Sequence, residues 1–245
     1  MNRYKIKIEY DGTPFVGWQF QKNGISVQKV LQDAIFLFSQ EKTIINGAGR
    51  TDSGVHAEEQ IAHFDLKKKI EKKKFIKGIN KYIGSHPVSV LEVKKVSRKF
   101  HSRYDAKQRK YRYIIVNRSS RLSLLKNKAW HISKNLNISK MKKGSNMLLG
   151  THDFSTFRSS SCSANSPIKT LKKAKIKKRD DKITIDFISK SFLQQQVRSM
   201  VGCLKYLGEG KWSLKKFKKV FLSKTRSNCA PPAPAQGLYL SKIKY

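Results

Sequence analysis

Acidic residues are scarce in this chain: 16 Asp and Glu stand against 53 Lys and Arg, a formal net charge of +37 over 245 residues. A field of that size repels itself in the folded state and is tolerated most easily opposite a polyanion. Nucleic acid is the expected partner, although single clusters such as Lys67 to Lys69 read as ordinary solvated faces. Basic balance alone does not separate an enzyme from an architectural protein, since both neutralise phosphates in the same way. Cysteine is sparse too. Cys162, Cys203 and Cys229 are odd in number, far apart in sequence and without the paired short spacing of a zinc site, so all three read as reduced thiols. No apolar run is long enough to cross a bilayer. The N-terminus alternates Tyr4, Ile6 and Ile8 with Lys5, Lys7 and Glu9, the period of a strand and unlike the apolar block of a signal peptide. A cytoplasmic location and no membrane association are expected.

What is present is an apolar content of 38% in short periodic runs, enough for a substantial core without staples. After the first strand, Asp11-Gly12-Thr13-Pro14 signals a turn, and Val27, Val30, Leu31, Ala34 and Phe38 recur at helical spacing behind a Ser26 cap. Alternation at Ala62, Phe64 and Leu66 predicts a strand, Phe75 to Ile83 a helix stopped by Gly84, and Val88 to Val96 another strand. The second half repeats the style. It has a strand over Tyr111 to Val116, a helix from Ile138 to Leu149 stopped by Gly150, and paired strands between Leu171 and Ile188. An apolar helix from about Phe192 to Leu207 and a stripe of Leu214, Phe217 and Phe221 follow. Ser155 to Pro167 and Ala230 to Gln236 read as loops, the latter running into a docked strand at the chain end. The fold class is therefore α+β in two similar halves, residues 1–105 and 106–245, with the crossing near Ser97 to Arg109.

Chemistry concentrates in Gly49-Arg50-Thr51-Asp52-Ser53-Gly54-Val55-His56, a Gly-rich loop between two strands. It lacks the Gly-Lys-Ser/Thr of a phosphate loop, and Ser53 lacks the glycine two positions earlier that a nucleophile elbow needs. Asp52, His56 and His63 could be imagined as metal ligands, but no further carboxylate or cysteine supports them in a ligand spacing, so no metal is expected. By itself the loop suggests a turn carboxylate accepting backbone N–H bonds. The rest of the chain alters that reading. Glu9-Tyr10-Asp11-Gly12 is followed by Gly17-Trp18-Gln19, Phe100-His101-x-Arg103, Lys110-Tyr111-x-Tyr113 and Gly150-x-His152-Asp153-Phe154-x-x-Phe157. Val197-Arg198-x-Met200-Val201-Gly202 and Ala233-Pro234-Ala235-x-Gly237-Leu238 complete the series. Each block is weak alone, but the ordered set resembles the tRNA pseudouridine synthase A family from residue 4 to the end.

The resemblance implies an isomerase that converts uridine to pseudouridine at uridines 38 to 40 of the tRNA anticodon arm, working as a homodimer with no cofactor. It implies mainly antiparallel sheets merging into one central sheet flanked by helices, with an active-site cleft between the halves. Asp52 corresponds to the family's nucleophile, Arg198 to the arginine that pairs with it, Tyr111 to the tyrosine stacking on the base, and Leu238 to the apolar floor. A stacked uridine must be flipped out before a carboxylate reaches it, at a cost of a few kcal/mol. Arg50 is expected to fill the vacated space or grip a phosphate, and Arg103 to hold the backbone. Gln194-Gln195-Gln196 departs from the histidines that many members carry there. The alternatives are a synthase for another RNA and a non-catalytic RNA-binding protein on the same scaffold, the latter expected to lack Asp52, Tyr111 or Arg198.

Overall fold

A computed structural model describes all 245 residues, Met1–Tyr245. In chain order the first elements are β1 (Asn2–Tyr10), α1 (Val27–Ser39), β2 (Asn46–Gly47), β3 (His56–Leu66), α2 (Lys72–Ile83) and β4 (Val88–Val96). Then come β5 (Gln108–Asn117), β6 (Trp130–Ile132), α3 (Ile138–Asn146), β7 (Gly150–Asp153), β8 (Ile168–Arg179) and β9 (Lys182–Ser189). The last are α4 (Gln196–Gly208), α5 (Leu214–Leu222) and β10 (Leu238–Lys244). They fall into two compact units, Met1–Arg109 with Tyr239–Tyr245, and Lys110–Leu238.

The first unit is a sheet in the order β4-β1-β3-β10. Strand β1 is antiparallel to β3 and β4, whereas β10 joins β3 in parallel through Tyr239 and Leu240. The alternation read from the sequence is realised, with Tyr4, Ile6, Ile8 and Tyr10 buried. Helix α1 starts where its cap was expected, the Ser26 hydroxyl accepting the Lys29 N–H at 3.2 Å. Gly84, at φ +64°, ends α2 as predicted. An aromatic chain carries the core from sheet to helices: Tyr4 lies against Phe64, Phe64 stacks on Phe75 at 5.7 Å, and Phe38 meets Phe75 edge-on at 5.3 Å. The edge strand is clipped on by Asn80 of α2, whose amide donates to Val90 O at 3.0 Å while its oxygen accepts Val90 N–H at 2.8 Å. At the other end Arg3 forms a fork on Asp65, 2.8 and 2.7 Å, and its third nitrogen donates to the carbonyls of Arg98 and Phe100. The crossing segment is thereby tied to the first strand.

The second unit orders its strands β5-β9-β8-β7, with β6 parallel to β5. Strands β8 and β9 form the expected antiparallel pair, turned at Asp180 with φ +53°. Helix α3 packs on β8, α4 and α5. It is shorter than predicted: it ends at Asn146, and the N–H groups of Met147, Leu148 and Leu149 close tighter i→i+3 turns before Gly150. Gly144, Ser145 and Asn146 are weak helix formers, which accounts for the early end. Helix α4 also starts later than Phe192, because Gln195 takes a left-handed backbone (φ +60°) and the Gln196 side chain turns back to accept Leu193 N–H at 2.8 Å. Phe154 and Phe157 are fully buried beside Phe221 and His152, so the block Gly150 to Phe157 builds core.

His63 of β3 is buried, its Nδ1 2.9 Å from Ser102 Oγ and 3.2 Å from Ser102 N. Burial, then the charge of Arg3 and His101, lowers its pKa from 6.5 to about 4. The folded state therefore resists a proton that the unfolded chain takes up: its contribution is complete above pH 6.5 and is lost as the pH falls towards 4. Urea unfolding followed from pH 7 to pH 4 should show stability falling by roughly 1 kcal/mol per pH unit across that window. His63→Gln should flatten the slope, and an unchanged slope would remove His63 as its cause.

Candidate active site

Asp52 lies on the segment linking β2 to β3, where the chain makes no continuous ladder and its backbone groups find partners elsewhere. Ala48 N–H donates to Ile61 O at 2.7 Å, and Ala48 O accepts from Arg109 Nε and Nη at 2.9 and 2.7 Å. Gln60 of β3 brackets the next peptide: its amide nitrogen donates to Gly49 O at 2.6 Å and its oxygen faces Gly49 N at 3.3 Å. Thr51 is held twice, its carbonyl accepting Trp18 N–H at 3.1 Å and its hydroxyl meeting Tyr10 OH at 2.8 Å. Asp52 itself forms an isolated β-bridge with Gly17, and its carbonyl accepts Val55 N–H at 3.2 Å. Partly exposed, it is flanked by exposed Arg50 and Ser53. Of the glycines in this loop only Gly54, at φ +75°, takes a left-handed backbone. Gly47 serves a different need, because a Cβ there would lie 2.5 Å from the Trp18 ring.

His56 closes the segment. Its Nδ1 sits 3.0 Å from Gly12 N and 2.9 Å from Asp11 Oδ1, and its ring stacks on Tyr239 at 4.7 Å. One nitrogen cannot both accept and donate: without a proton Nδ1 accepts the Gly12 N–H, and with one it donates to Asp11 Oδ1. Either way His56 fastens the Asp11-Gly12 turn to the strand that follows Asp52.

In the second unit Tyr111 is on β5, 8% exposed, its ring edge-on to Phe192 at 5.2 Å. Arg198, in the first turn of α4, is partly buried and doubly bonded to one residue: its Nε donates to Ala233 O at 2.8 Å and its carbonyl accepts Ala233 N–H at 2.9 Å. Tyr113 OH donates to Pro234 O at 2.7 Å, and burial pushes its pKa well up against the opposing charge of Arg198. Leu238 is buried at the start of β10. Arg103 belongs to the first unit, is exposed, and lends its carbonyl to Arg109 at 2.6 Å.

A family model described as tRNA pseudouridine synthase matches residues 145–245. The tRNA pseudouridine synthase A of Pelagibacter ubique is 59% identical over 246 aligned residues covering all of both chains. Those of Parvibaculum lavamentivorans and Afipia carboxidovorans are 44% and 42% identical, again across the full length of both. The chain belongs to the tRNA pseudouridine synthase A family.

Gln60 and Arg109 were not legible as site residues. A polar side chain on the buried face of a strand was their one sequence signal, and what each holds is settled by partners up to 61 residues away. Gln60→Leu should leave the Gly49 peptide without its side-chain partners, lowering the unfolding free energy by about 1–3 kcal/mol. Hydrogen exchange at Gly49 to Thr51 should accelerate as well. Unchanged exchange in that segment would show that Gln60 does not hold it.

Proposed function

We propose that the chain isomerises uridine to pseudouridine in tRNA, with Asp52 as the nucleophile. The observation that carries the reading is the full-length relationship to synthases of that name, together with Asp52 on a loop whose neighbouring peptides are pinned on both sides. The reaction is an internal transfer that needs no co-reactant: the bond from C1′ to N1 breaks, the uracil turns, and C1′ rejoins through C5. The Asp52 carboxylate adds to ribose C1′ or to uracil C6, and both routes return the same product. Such a group must stay ionised in a mostly dry site, where a paired cation opposes the cost of burial. We assign that pairing to Arg198, whose anchoring through Ala233 fixes the direction of its guanidinium.

Tyr111 stacks on the flipped base, a role that suits a ring already set edge-on to Phe192 and needs no proton transfer. Leu238 floors the pocket. Exposed Arg50 takes the place of the departing base or its flanking phosphate, and Arg103 grips the backbone. In this reading a homodimer in the cytoplasm receives the anticodon arm and modifies uridines 38 to 40. No cofactor takes part.

Asp52→Asn is expected to keep tRNA binding and abolish turnover, measured as tritium release from tRNA labelled at uracil C5. Release at the unsubstituted rate would end the assignment. Binding should weaken steeply with salt, with a log–log slope of about −0.9 per duplex phosphate neutralised, or about −0.7 on single strands. A flat response between low and physiological salt would remove the argument from charge.

A further inference from the structure

Two of the three cysteines expected to stand alone meet inside the second unit. Cys203 on α4 and Cys229 after the short turn Arg226–Asn228 bring their sulfurs to 3.4 Å. We propose that Cys203 and Cys229 are a site of reversible covalent modification, a thiol pair that a hydroperoxide converts to an internal disulfide stapling the 229–233 segment to α4.

The geometry asks little movement, since a disulfide of about 2.05 Å requires the sulfurs to close by about 1.4 Å from their present 3.4 Å. The two thiols are unequal in a way that orders the chemistry. Cys203 is fully buried, whereas Cys229 retains some exposure and has Arg226 beside it, whose Nη1 is held by Ser199 Oγ at 2.9 Å. A hydrogen bond from Cys203, and then the Arg226 charge, keep the Cys229 thiol below the usual thiol range, while the same bond and burial push Cys203 up. Cys229 is therefore the sulfur a small oxidant reaches, and Cys203 the one that resolves it.

Each step balances. The Cys229 thiolate attacks one oxygen of hydrogen peroxide, the O–O bond breaks, and a sulfenic acid forms as hydroxide leaves to take up the thiol's proton as water. The Cys203 sulfur then attacks the sulfenic sulfur, the S–O bond breaks, and the oxygen departs as a second water with the Cys203 proton. Two thiols are oxidised and one peroxide is reduced; a dithiol reverses the result by exchange. The oxidised segment is the one that holds Arg198. Gly202 lies directly under it, a Cβ there falling 2.1 Å from Pro231 O, and Ala233 makes both bonds to Arg198. The bond closes a loop of roughly 25 residues and restricts the unfolded chain, raising the thermal midpoint by roughly 5 °C or more.

The test treats the folded protein with hydrogen peroxide, blocks remaining thiols by alkylation, and maps the digest by mass spectrometry alongside thermal unfolding. A linked pair of peptides bearing Cys203 and Cys229 is expected, cleaved by dithiothreitol, accompanied by the higher midpoint and still formed in Cys162→Ser. Cys203→Ala and Cys229→Ala should each abolish both the link and the shift. Oxidation of Cys229 to sulfinic acid with Cys203 still alkylatable, a link through Cys162, or recovery of both thiols unchanged would each overturn the proposal.

Discussion

The peptides between Ala48 and His56 cannot join the sheet, yet buried N–H and C=O groups that go unpaired are costly, and the first unit is organised around meeting that demand. Several elements contribute a partner. For the peptide groups the turn after β1 supplies Trp18, β3 supplies Gln60 and Ile61, and Arg109 of β5 its guanidinium, while Tyr10 and Gly12 hold the Thr51 and His56 side chains. A loop bonded in this manner spends its conformational entropy on folding and has little left to lose when a substrate arrives. For the nucleophile we propose at Asp52 that is the useful arrangement, because displacement of even 1 Å is expensive in rate.

The second unit solves a similar problem with an irregular strap. The proline-rich stretch after Cys229 looked like a connector, but its carbonyls are acceptors with assigned donors. Ala233 O takes Arg198 Nε, and Pro234 O takes Tyr113 OH. Proline suits the task, since it lacks an N–H that would itself need a partner and it holds the chain extended. The bare glycine faces at 202 and 237 let this strap lie against α4 and against the Tyr113 ring. An arginine tethered at Nε keeps far fewer rotamers than one on an open helix face, so the strap sets where its charge points.

Legibility followed the range of the interaction. Strands β1 and β4 and helices α1, α2 and α5 were readable because period, caps and stops are local signals, and Ser26, Gly84 and Ser213 act as such signals here. The ends of α3 and α4 were not, since each is settled by side-chain and backbone bonds that compete with helix continuation. Asp52, Tyr111 and Arg198 are singled out only by the order of short motifs; periodicity alone makes them a turn residue, a strand residue and a helix-surface residue. Gln60, Arg109 and the meeting of Cys203 with Cys229 were invisible, because nothing within a few residues of each betrays a partner 11, 61 or 26 positions away.

The charge excess is more divided in purpose than the composition suggests. Beyond Leu171, β8 has no partner on the β7 side, and Lys172, Lys173, Lys175, Lys177 and Lys178 are exposed there. Lysines along such an edge oppose pairing with a second chain whether or not RNA is bound. Asp186, between Lys110 and Arg112 at 2.9 Å each, is held below the usual carboxylate range even though burial works the other way. Scarce acids of this kind are consumed in pairs within the chain, as with Asp65 on Arg3 and Glu209 on Lys205. The field offered outwards is then set by lysines and arginines that have no carboxylate to answer them, and it acts over about a Debye length, roughly 8 Å at physiological salt. That reach attracts phosphates before any side chain touches them, so steering is shared across the whole surface and does not depend on any single lysine.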